Sequence, residues 1–376
     1  MVQVTFEIKQ QPASVIAQLP GESITLAPLW LRERCQDAVS LDVTTQQRLF
    51  NPHNLPDGLK LVEAEAKGED KAWLSFSDGY AGLYDLSEFR ADFDPLDGLP
   101  TPISWKSDVD SQLIHIDFNR LTEFDYRLEA FSKFLTYGVL IIQNVPTETE
   151  SVLDVGKIFG QVRETNFGKY FEVYSRPNSN DLAYRSIHLD PHTDNPYRDP
   201  MPGVQLLHCL INETSGGLST LVDSLAVAEQ LKLEDPEGFD MLMKVPVRYR
   251  HVDDDVELIE RRPIIMTDAL GRMTGVSYSP RLDYLPLLGE HDMAVFHRAR
   301  RRMGQLFTDP AFERRFKLEK GELQMFNNTR VLHGRTSFDT SQGRRHLQGC
   351  YMDMDGPKGI YKAMKRSLKA RQDSKA

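Results

Sequence analysis

Cysteine is scarce in this chain of 376 residues, and its scarcity excludes two kinds of cross-linked domain. Only Cys35, Cys209 and Cys350 occur, and they stand far apart in the sequence. Three widely spaced cysteines make neither a disulfide framework nor a C-x-x-C zinc knuckle. The pattern is typical of a protein in a reducing compartment, so we expect a cytoplasmic location.

Long apolar runs and an excess of basic charge are also missing. No run approaches the roughly 20 residues that a membrane-spanning helix needs, and residues 1–11 lack the features of a signal peptide. The formal net charge of −10 argues against general nucleic-acid binding, which requires a clustered basic surface. The basic stretch at 362–375 is predicted to be a solvated terminal helix. We therefore expect no membrane partner and no nucleic-acid partner.

The first part of the chain reads as short strands separated by turns. Apolar and polar residues alternate at 2–8, and 60–64 and 72–76 are further predicted strands. An acidic segment at 92–102 with three prolines and a glycine then indicates a linker. The sequence thus predicts a small β-rich N-terminal domain over 1–95 and a second domain over 108–376.

The second part of the chain mixes helices with many short strands. Helical spacing of apolar residues predicts helices at 120–137, 147–159, 224–231, 236–243 and 293–308. Apolar runs predict strands at 138–142, 204–210, 219–222, 245–249, 263–267, 323–326 and 349–352. We therefore predict a mostly β fold with helices, a double-stranded β-helix or jelly roll.

The run from residue 188 to 194 contains the pattern H-x-D twice, as His188/Asp190 and as His192/Asp194. On a strand, residues two apart point to the same face, so each pair would present one imidazole and one carboxylate together. The later His333 can complete a triad of two histidines and one carboxylate. Such a triad is typical of non-haem Fe(II) oxygenases, because it leaves positions open for substrate and oxygen.

Pro191 favours the second pair. Proline cannot donate a hydrogen bond to a strand ladder, and it restricts the residue before it. The pair His192/Asp194 follows this expected break and can continue as one strand, whereas His188/Asp190 abuts it.

An arginine pair follows His333 by 11 and 12 residues, at Arg344 and Arg345. A dicarboxylate cosubstrate such as 2-oxoglutarate needs a fixed cation for its far carboxylate, and the guanidinium fork suits this task. On a strand only one of the two arginines can face the interior. The spacing alone does not choose between them.

With these residues in place, the chain resembles the γ-butyrobetaine hydroxylase branch of the 2-oxoglutarate/Fe(II) oxygenases, the superfamily that also holds the taurine-type dioxygenases. The resemblance covers nearly the whole chain. Its blocks are TNFG at 165–168, AY at 183–184, HTD at 192–194, PGVQLLHC at 202–209, GGLSTLVD at 216–223, FNNTRVLHGR at 326–335 and RHLQGCY at 345–351.

The resemblance implies Fe(II) and 2-oxoglutarate as cofactor and cosubstrate, with O2 as the oxidant. The iron ligands of the family fall on His192, Asp194 and His333, and its 2-oxoglutarate arginine falls on Arg345. A hydroxyl near the cosubstrate is expected from Ser219 or Thr220. A carboxylate among the iron ligands implies hydroxylation.

The family also binds a trimethylammonium group in an aromatic cage, by cation–π attraction worth about 2 kcal/mol when desolvated. The matching positions here are Phe167, Phe171, Tyr184 and Tyr351. A fifth cage position falls on Asn195, so the resemblance implies a cage that is open on one side.

The anionic end of the substrate departs from the family pattern. The family binds a carboxylate with amide side chains, whereas Asp181 here would repel it. Asn195, Arg198 and Arg281 are the candidate replacements, and arginine suits a phosphonate. We therefore favour 2-(trimethylammonio)ethylphosphonate as substrate, with γ-butyrobetaine, the carnitine precursor, as the alternative. A non-catalytic betaine-binding protein on this fold is a third reading.

The N-terminal domain of the family often binds zinc through three cysteines and a histidine. Here only Cys35 remains, and the histidine position falls on Tyr80. One thiolate cannot make a tetrahedral zinc site, so we expect no zinc. A symmetric homodimer is the expected assembly.

Overall fold

The computed structural model describes residues 3–174, 187–339, 341 and 343–373. By its internal contacts the chain divides into two compact units, Met1–Gly98 and Leu99–Ala376. None of the helices in these described ranges is long and apolar enough to cross a membrane.

The first unit contains two three-stranded antiparallel sheets and an apolar core. Its strands form where side chains alternate between the core and the solvent: Ala72, Leu74 and Phe76 are buried, whereas Trp73 between them is exposed. The predicted strands at 2–8, 60–64 and 72–76 correspond to the strands Thr5–Gln10, Leu61–Ala66 and Lys71–Phe76. The elements are β1 (Thr5–Gln10), β2 (Ala13–Leu19), β3 (Glu22–Thr25), α1 (Pro28–Arg32), β4 (Leu61–Ala66), β5 (Lys71–Phe76) and β6 (Ala81–Asp85), with 3-10 turns at Pro52–Asn54 and Leu86–Phe93.

A guanidinium lies next to the remaining cysteine of this unit. Arg32 donates to the buried Cys35 thiol over 3.4 Å and forms an ion pair with Asp78 at 2.8 Å. Its guanidinium carbon also lies 4.0 Å from the centre of the Tyr80 ring, and the Tyr80 hydroxyl donates to Asp37. Arg32 thus links α1 to the turn before β6.

The second unit combines helices with two large sheets. Its helices are α2 (Ser111–Ile114), α3 (Phe124–Tyr137), α4 (Ser151–Phe159), α5 (Ser224–Glu234), α6 (Pro236–Lys244), α7 (Glu290–Phe307) and α8 (Asp355–Asp373). Its strands are β7 (His115–Asp117), β8 (Val139–Gln143), β9 (Val162–Arg163), β10 (Phe171–Tyr174), β11 (Leu189–His192), β12 (Val204–Asn212), β13 (Ser219–Asp223), β14 (Pro246–Val252), β15 (Glu257–Pro263), β16 (Ile265–Thr267), β17 (Met273–Val276), β18 (Asp283–Tyr284), β19 (Arg314–Phe316), β20 (Leu323–Asn327), β21 (Val331–Arg335) and β22 (Arg345–Met352).

Two sheets face each other across a shared apolar core. The larger has the order β10-β22-β12-β20-β8-β7, with β9 also paired to β22, and the smaller has the order β11-β21-β13-β19. Leu207 and Phe326 of the larger sheet share a core with Leu221 and Val331 of the smaller one. The second unit thus has the pair of facing sheets that the predicted jelly roll requires.

Helices cover the outer face of the larger sheet. Alternation along β12 sends Val204 and Leu206 towards α3 and α4, while Leu207 and Cys209 face the other sheet. The terminal helix α8 is confirmed, but it is not wholly solvated as predicted. Its Tyr361 and Met364 are buried in the same core, and basic side chains occupy its outer face.

Most predicted helices and strands are confirmed, with several of their ends displaced. The single strand predicted at 263–267 is wrong, because a bend at Ile264 separates the end of β15 from β16. The helix predicted to start at residue 147 begins at Ser151, because Glu150 has a left-handed backbone (φ 73°). The helix predicted to start at residue 120 begins at Phe124, after a 3-10 turn at Phe118–Arg120. These displacements reflect local turn geometry that apolar periodicity does not encode.

Candidate active site

A cavity of about 620 Å³ lies between the two sheets of the second unit. Gln205 and Tyr351 line it from the larger sheet, and Ser219 and His333 line it from the smaller sheet. Cavities of roughly 300–1,000 Å³ are the usual size for small organic ligands. The cavity can therefore hold a small substrate together with a cosubstrate.

Three metal-ligating side chains meet at this cavity. One ligand atom from each of His192, Asp194 and His333 lies within 4.8 Å of the other two. The Nε2 atoms of His192 and His333 are 3.4 and 3.9 Å from Oδ1 of Asp194. The two histidines are direct partners across β11 and β21. Two imidazoles and one carboxylate are the donor set of a facial triad, so these residues fit a divalent iron ion.

The other H-x-D pair lies outside this group, but the strand break predicted at Pro191 is wrong. Pro191 does not break the strand, because β11 runs from Leu189 to His192. β11 is an edge strand with an irregular register, where a missing N–H is tolerated. Asp194 instead lies beyond the strand. His188 and Asp190 bind each other at 2.9 Å, with both side chains largely exposed.

The charges of the three groups suit metal binding at neutral pH. Burial raises the pKa of Asp194, yet the adjacent His333 and His192 outweigh it and hold that pKa well below its usual range. Burial and the neighbouring His192 lower the pKa of His333 to about 3. His192 directs Nδ1 at the Asp190 carbonyl over 2.8 Å, and a carbonyl only accepts, so Nε2 keeps the lone pair in the neutral ring.

The two arginines that are candidates for binding the cosubstrate have different surroundings in the structure. Arg345 is 7% exposed and lines the cavity, whereas the side chain of Arg344 is 76% exposed and faces Glu213. Burial lowers the pKa of Arg345 to about 10, so it stays cationic at neutral pH. In the described part of the chain no carboxylate pairs with it. A buried cation of this kind calls for an anionic ligand.

The two candidate hydroxyls point to opposite sides of β13. Ser219 lines the cavity. Thr220 is not among the lining residues, and its hydroxyl lies against Gly334 of the neighbouring strand. The period of two along a strand allows one of the two neighbours to face a given side.

Aromatic rings line the cavity around the three metal-ligating residues. Phe171 and Tyr351 stack with their centroids 5.0 Å apart, and Phe167 is a further lining residue. Tyr184 lies outside the described residues. Two aromatic residues without a predicted role also line the cavity, Tyr197 and His251, and their rings stack at 4.6 Å.

Two of the three predicted anion contacts are lining residues of the cavity. Asn195 and Arg281 line the cavity, and Asn195 Oδ1 accepts from the Tyr197 hydroxyl at 2.6 Å. Arg198 is not a lining residue. Its guanidinium lies 5.8 and 5.7 Å from the Phe167 and Tyr197 rings and binds Asn166.

The chain matches the family described as "Taurine catabolism dioxygenase TauD, TfdA family" over residues 100–351. The chain belongs to this family. It is 31% identical over 367 residues to a gamma-butyrobetaine dioxygenase of Pseudomonas sp. strain AK-1, which covers 93% of this chain and 95% of that protein. It is 26% identical over 361 residues to a trimethyllysine dioxygenase of Meyerozyma guilliermondii, covering 89% of each chain. Its identity to dioxygenase str8 of Strobilurus tenacellus is 29% over 351 residues, covering 87% and 82%.

The protein is a dioxygenase of the γ-butyrobetaine hydroxylase-like branch that depends on Fe(II) and 2-oxoglutarate, with O2 as co-substrate. The predicted reaction class, cofactor and cosubstrates are thereby confirmed.

Arg335 is a further cavity residue of this dioxygenase without a predicted role. It is buried, lies two residues after His333 on β21 and donates to the Ile187 carbonyl at 3.1 Å. Burial, with Arg345 and Arg281 nearby, lowers the pKa of Arg335 to about 9. The spacing H-x-R on a strand could have revealed it, because residues two apart share a face.

Gly334, between His333 and Arg335, permits a close approach of three strands. A Cβ at this position would lie 2.5 Å from the Leu189 carbonyl oxygen and 2.6 Å from the Thr220 hydroxyl. Both contacts are shorter than van der Waals packing allows, so glycine is required here.

Proposed function

We propose that this dioxygenase hydroxylates a small trimethylammonium compound that carries an anionic group at its other end. The observation that carries the proposal is that aromatic rings and guanidinium groups line the same cavity as the three metal-ligating side chains. Relatives named for γ-butyrobetaine and trimethyllysine support the same substrate class.

In this proposal His192, Asp194 and His333 hold the iron. Bound Fe(II), with 2-oxoglutarate and O2, supplies the oxidant that replaces a C–H bond by C–OH. Arg345 binds the far carboxylate of 2-oxoglutarate through its guanidinium fork, and the Ser219 hydroxyl donates to the same end. Arg335 adds a second positive charge there, because both arginines lie over the Phe338 ring, at 4.8 and 5.6 Å from its centre.

The trimethylammonium group is bound by aromatic faces. Phe171, Tyr351 and Phe167 provide the predicted cage positions that line the cavity. Tyr197 supports a closed cage despite Asn195, because it lines the cavity two residues further on and stacks on His251. The protein then sets the carbon that reacts by holding the cation at a fixed place relative to the iron.

The anionic end is assigned to Arg281, with Asn195 as a neutral donor. Arg281 lines the cavity close enough to His333 and Arg335 to lower the pKa of both. A guanidinium pairs well with the oxygens of a phosphonate, which supports 2-(trimethylammonio)ethylphosphonate. The second candidate is γ-butyrobetaine, which the 31% identical relative supports.

The decisive experiment measures succinate formed with Fe(II), 2-oxoglutarate and O2 for the phosphonate, γ-butyrobetaine and trimethyllysine. A matched control is 3,3-dimethylbutylphosphonate, in which carbon replaces the charged nitrogen. We expect substrate-dependent succinate for at least one trimethylammonium compound and at least 10-fold less for the neutral control. The ratio of kcat/KM for phosphonate and carboxylate then ranks the two candidates.

Two results would contradict the proposal. Equal turnover of the charged and neutral compounds would contradict a role for the aromatic rings in binding the cation. Tight binding of these compounds without any succinate would favour the non-catalytic reading. His192→Ala is expected to abolish turnover and His188→Ala to retain it.

A further inference from the structure

We propose that Asn328 is a positioning residue that fixes Asp194 for iron binding, an inference that rests on the metal site proposed above. Its Oδ1 accepts a hydrogen bond from the Asp194 N–H at 2.8 Å. Its Nδ2 donates to the Asp194 carbonyl at 2.9 Å and to the Pro202 carbonyl at 2.9 Å. Asn328 is fully buried, at 0% exposure. One side chain thus holds both backbone groups of a metal-ligating residue.

Asp194 needs such a contact because no strand ladder holds it. β11 ends at His192, and Asn195 immediately after Asp194 has a left-handed backbone, with φ 53°. A non-glycine residue in that region is held there by its surroundings rather than by local preference. Without Asn328, the amide and carbonyl of Asp194 would be left buried or would turn towards water.

The position of Asn328 also connects two separate ligand segments. It lies in the turn between β20 and β21, five residues before His333, and its own N–H donates to the Gly203 carbonyl at 2.9 Å. Hydrogen bonds of Asn328 therefore join the turn before the His333 strand to the loop that carries Asp194. The distance between these two ligands is fixed by this contact as well as by the pairing of β11 with β21.

The amide is the chemical group that this task requires. Asparagine offers one acceptor and two donor hydrogens at a single short reach, and here the acceptor and both donors are used. Aspartate keeps the acceptor but loses both donors, and it places a negative charge against two carbonyl oxygens. Alanine loses all three hydrogen bonds.

The test measures iron binding directly. Fe(II) is titrated anaerobically into the full-length wild type, Asn328→Ala and Asn327→Ala by calorimetry, and thermal unfolding is followed with and without Fe(II). Asn327 is the matched control, because among the described residues its Oδ1 accepts only from the nearby Thr329 N–H and hydroxyl. We expect the Fe(II) dissociation constant to rise at least 10-fold in Asn328→Ala and to stay within about 2-fold of wild type in Asn327→Ala.

The Fe(II)-induced rise of the unfolding temperature separates positioning from mere stability. It should shrink in Asn328→Ala, because binding to the folded state alone stabilises it by an amount set by affinity. An unchanged rise, with a lower unfolding temperature in both states, would overturn the proposal. If Asn328→Ala does not fold, Asn328→Asp replaces it, and wild-type iron affinity in that variant would equally overturn it.

His192→Ala distinguishes failure of this inference from failure of the metal site. Loss of iron by His192→Ala together with wild-type affinity in Asn328→Ala would refute the role of Asn328 alone. Retention of iron by His192→Ala would refute the proposed metal site, and the role of Asn328 with it.

Discussion

The hydroxyl of Tyr351 donates a hydrogen bond to Oδ2 of Asp194 at 2.7 Å. The other carboxylate oxygen, Oδ1, faces the Nε2 atoms of His192 and His333. The ring of the same tyrosine stacks on Phe171. Tyr351 thus joins the proposed cation site to the proposed metal site.

Tyr351→Phe should separate these two roles. The variant keeps the ring but loses the hydrogen bond that sets the rotamer of Asp194, so we expect about a 10-fold weaker Fe(II) affinity. The KM for the trimethylammonium substrate, measured at saturating Fe(II), should change less than about 3-fold, because cation–π attraction needs only the ring. Tyr351→Leu should raise both the Fe(II) dissociation constant and the substrate KM. A raised substrate KM with unchanged iron affinity in Tyr351→Phe would contradict this division.

Arg345→Gln should raise the KM for 2-oxoglutarate by roughly 10- to 150-fold. A hydrogen bond to a charged group is worth about 1.5–3 kcal/mol, which corresponds to that range. Arg344→Gln is the matched control: its side chain is mostly exposed, and we expect a KM within about 2-fold of wild type. Steady-state succinate formation at varied 2-oxoglutarate checks both. An effect confined to Arg344→Gln would show that Arg344, and not Arg345, binds 2-oxoglutarate.

The buried side chain of His208 should make the second unit less stable in mild acid. Both of its ring nitrogens are buried and make no hydrogen bond with the described residues, and burial lowers its pKa to about 4. Below the unfolded pKa of about 6.5 the unfolded chain binds a proton that the folded chain does not, so stability falls as the pH is lowered. The free energy of unfolding falls by about 1.4 kcal/mol for each pH unit below the unfolded pKa, which amounts to about 2 kcal/mol at pH 5.

The variant His208→Leu isolates this contribution. Between pH 7 and pH 5, its free energy of unfolding in urea should fall by about 2 kcal/mol less than that of the wild type. Parallel losses in the two proteins would show that the His208 imidazole does not stay neutral in the fold.

The first unit should be indifferent to chelators and sensitive to Arg32. Arg32 and Asp78 form an ion pair whose side chains are both 13% exposed, so Arg32→Ala leaves Asp78 without its partner. We expect a loss of roughly 2 kcal/mol in the stability of this unit. Arg34→Ala, which breaks the more exposed pair with Asp92, should cost less than about 1 kcal/mol.

The expected absence of zinc from the first unit is tested by adding EDTA. A fall in unfolding temperature beyond that explained by loss of iron would contradict a metal-free first unit.

Side-chain patterning accounts for what could be predicted of the fold. The strands β5, β12 and β20 and the helices α5 and α6 were found because apolar periodicity is a property of the sequence alone. The continuity of β11 through Pro191 was missed. Tolerance of proline depends on β11 being an edge strand, and strand order is not readable from local sequence.

The site divides in the same way. His192, Asp194, His333 and Arg345 belong to motifs with short or fixed spacing, and the structure brings all four to one cavity. Tyr197 and His251 come from different parts of the chain and meet only after folding, so their contact cannot be predicted from sequence spacing. Asn328 contacts a residue 134 positions away, and its neighbour Asn327 looks equivalent in sequence.

The fit of Gly334 between Leu189 and Thr220 has a consequence for anyone who wishes to redesign this enzyme. Position 334 leaves no latitude for randomisation, because a side chain there would push β21, which carries His333 and Arg335, away from β11 and β13. Libraries aimed at new substrates are better directed to Tyr197 and His251, whose stacked side chains line the same cavity.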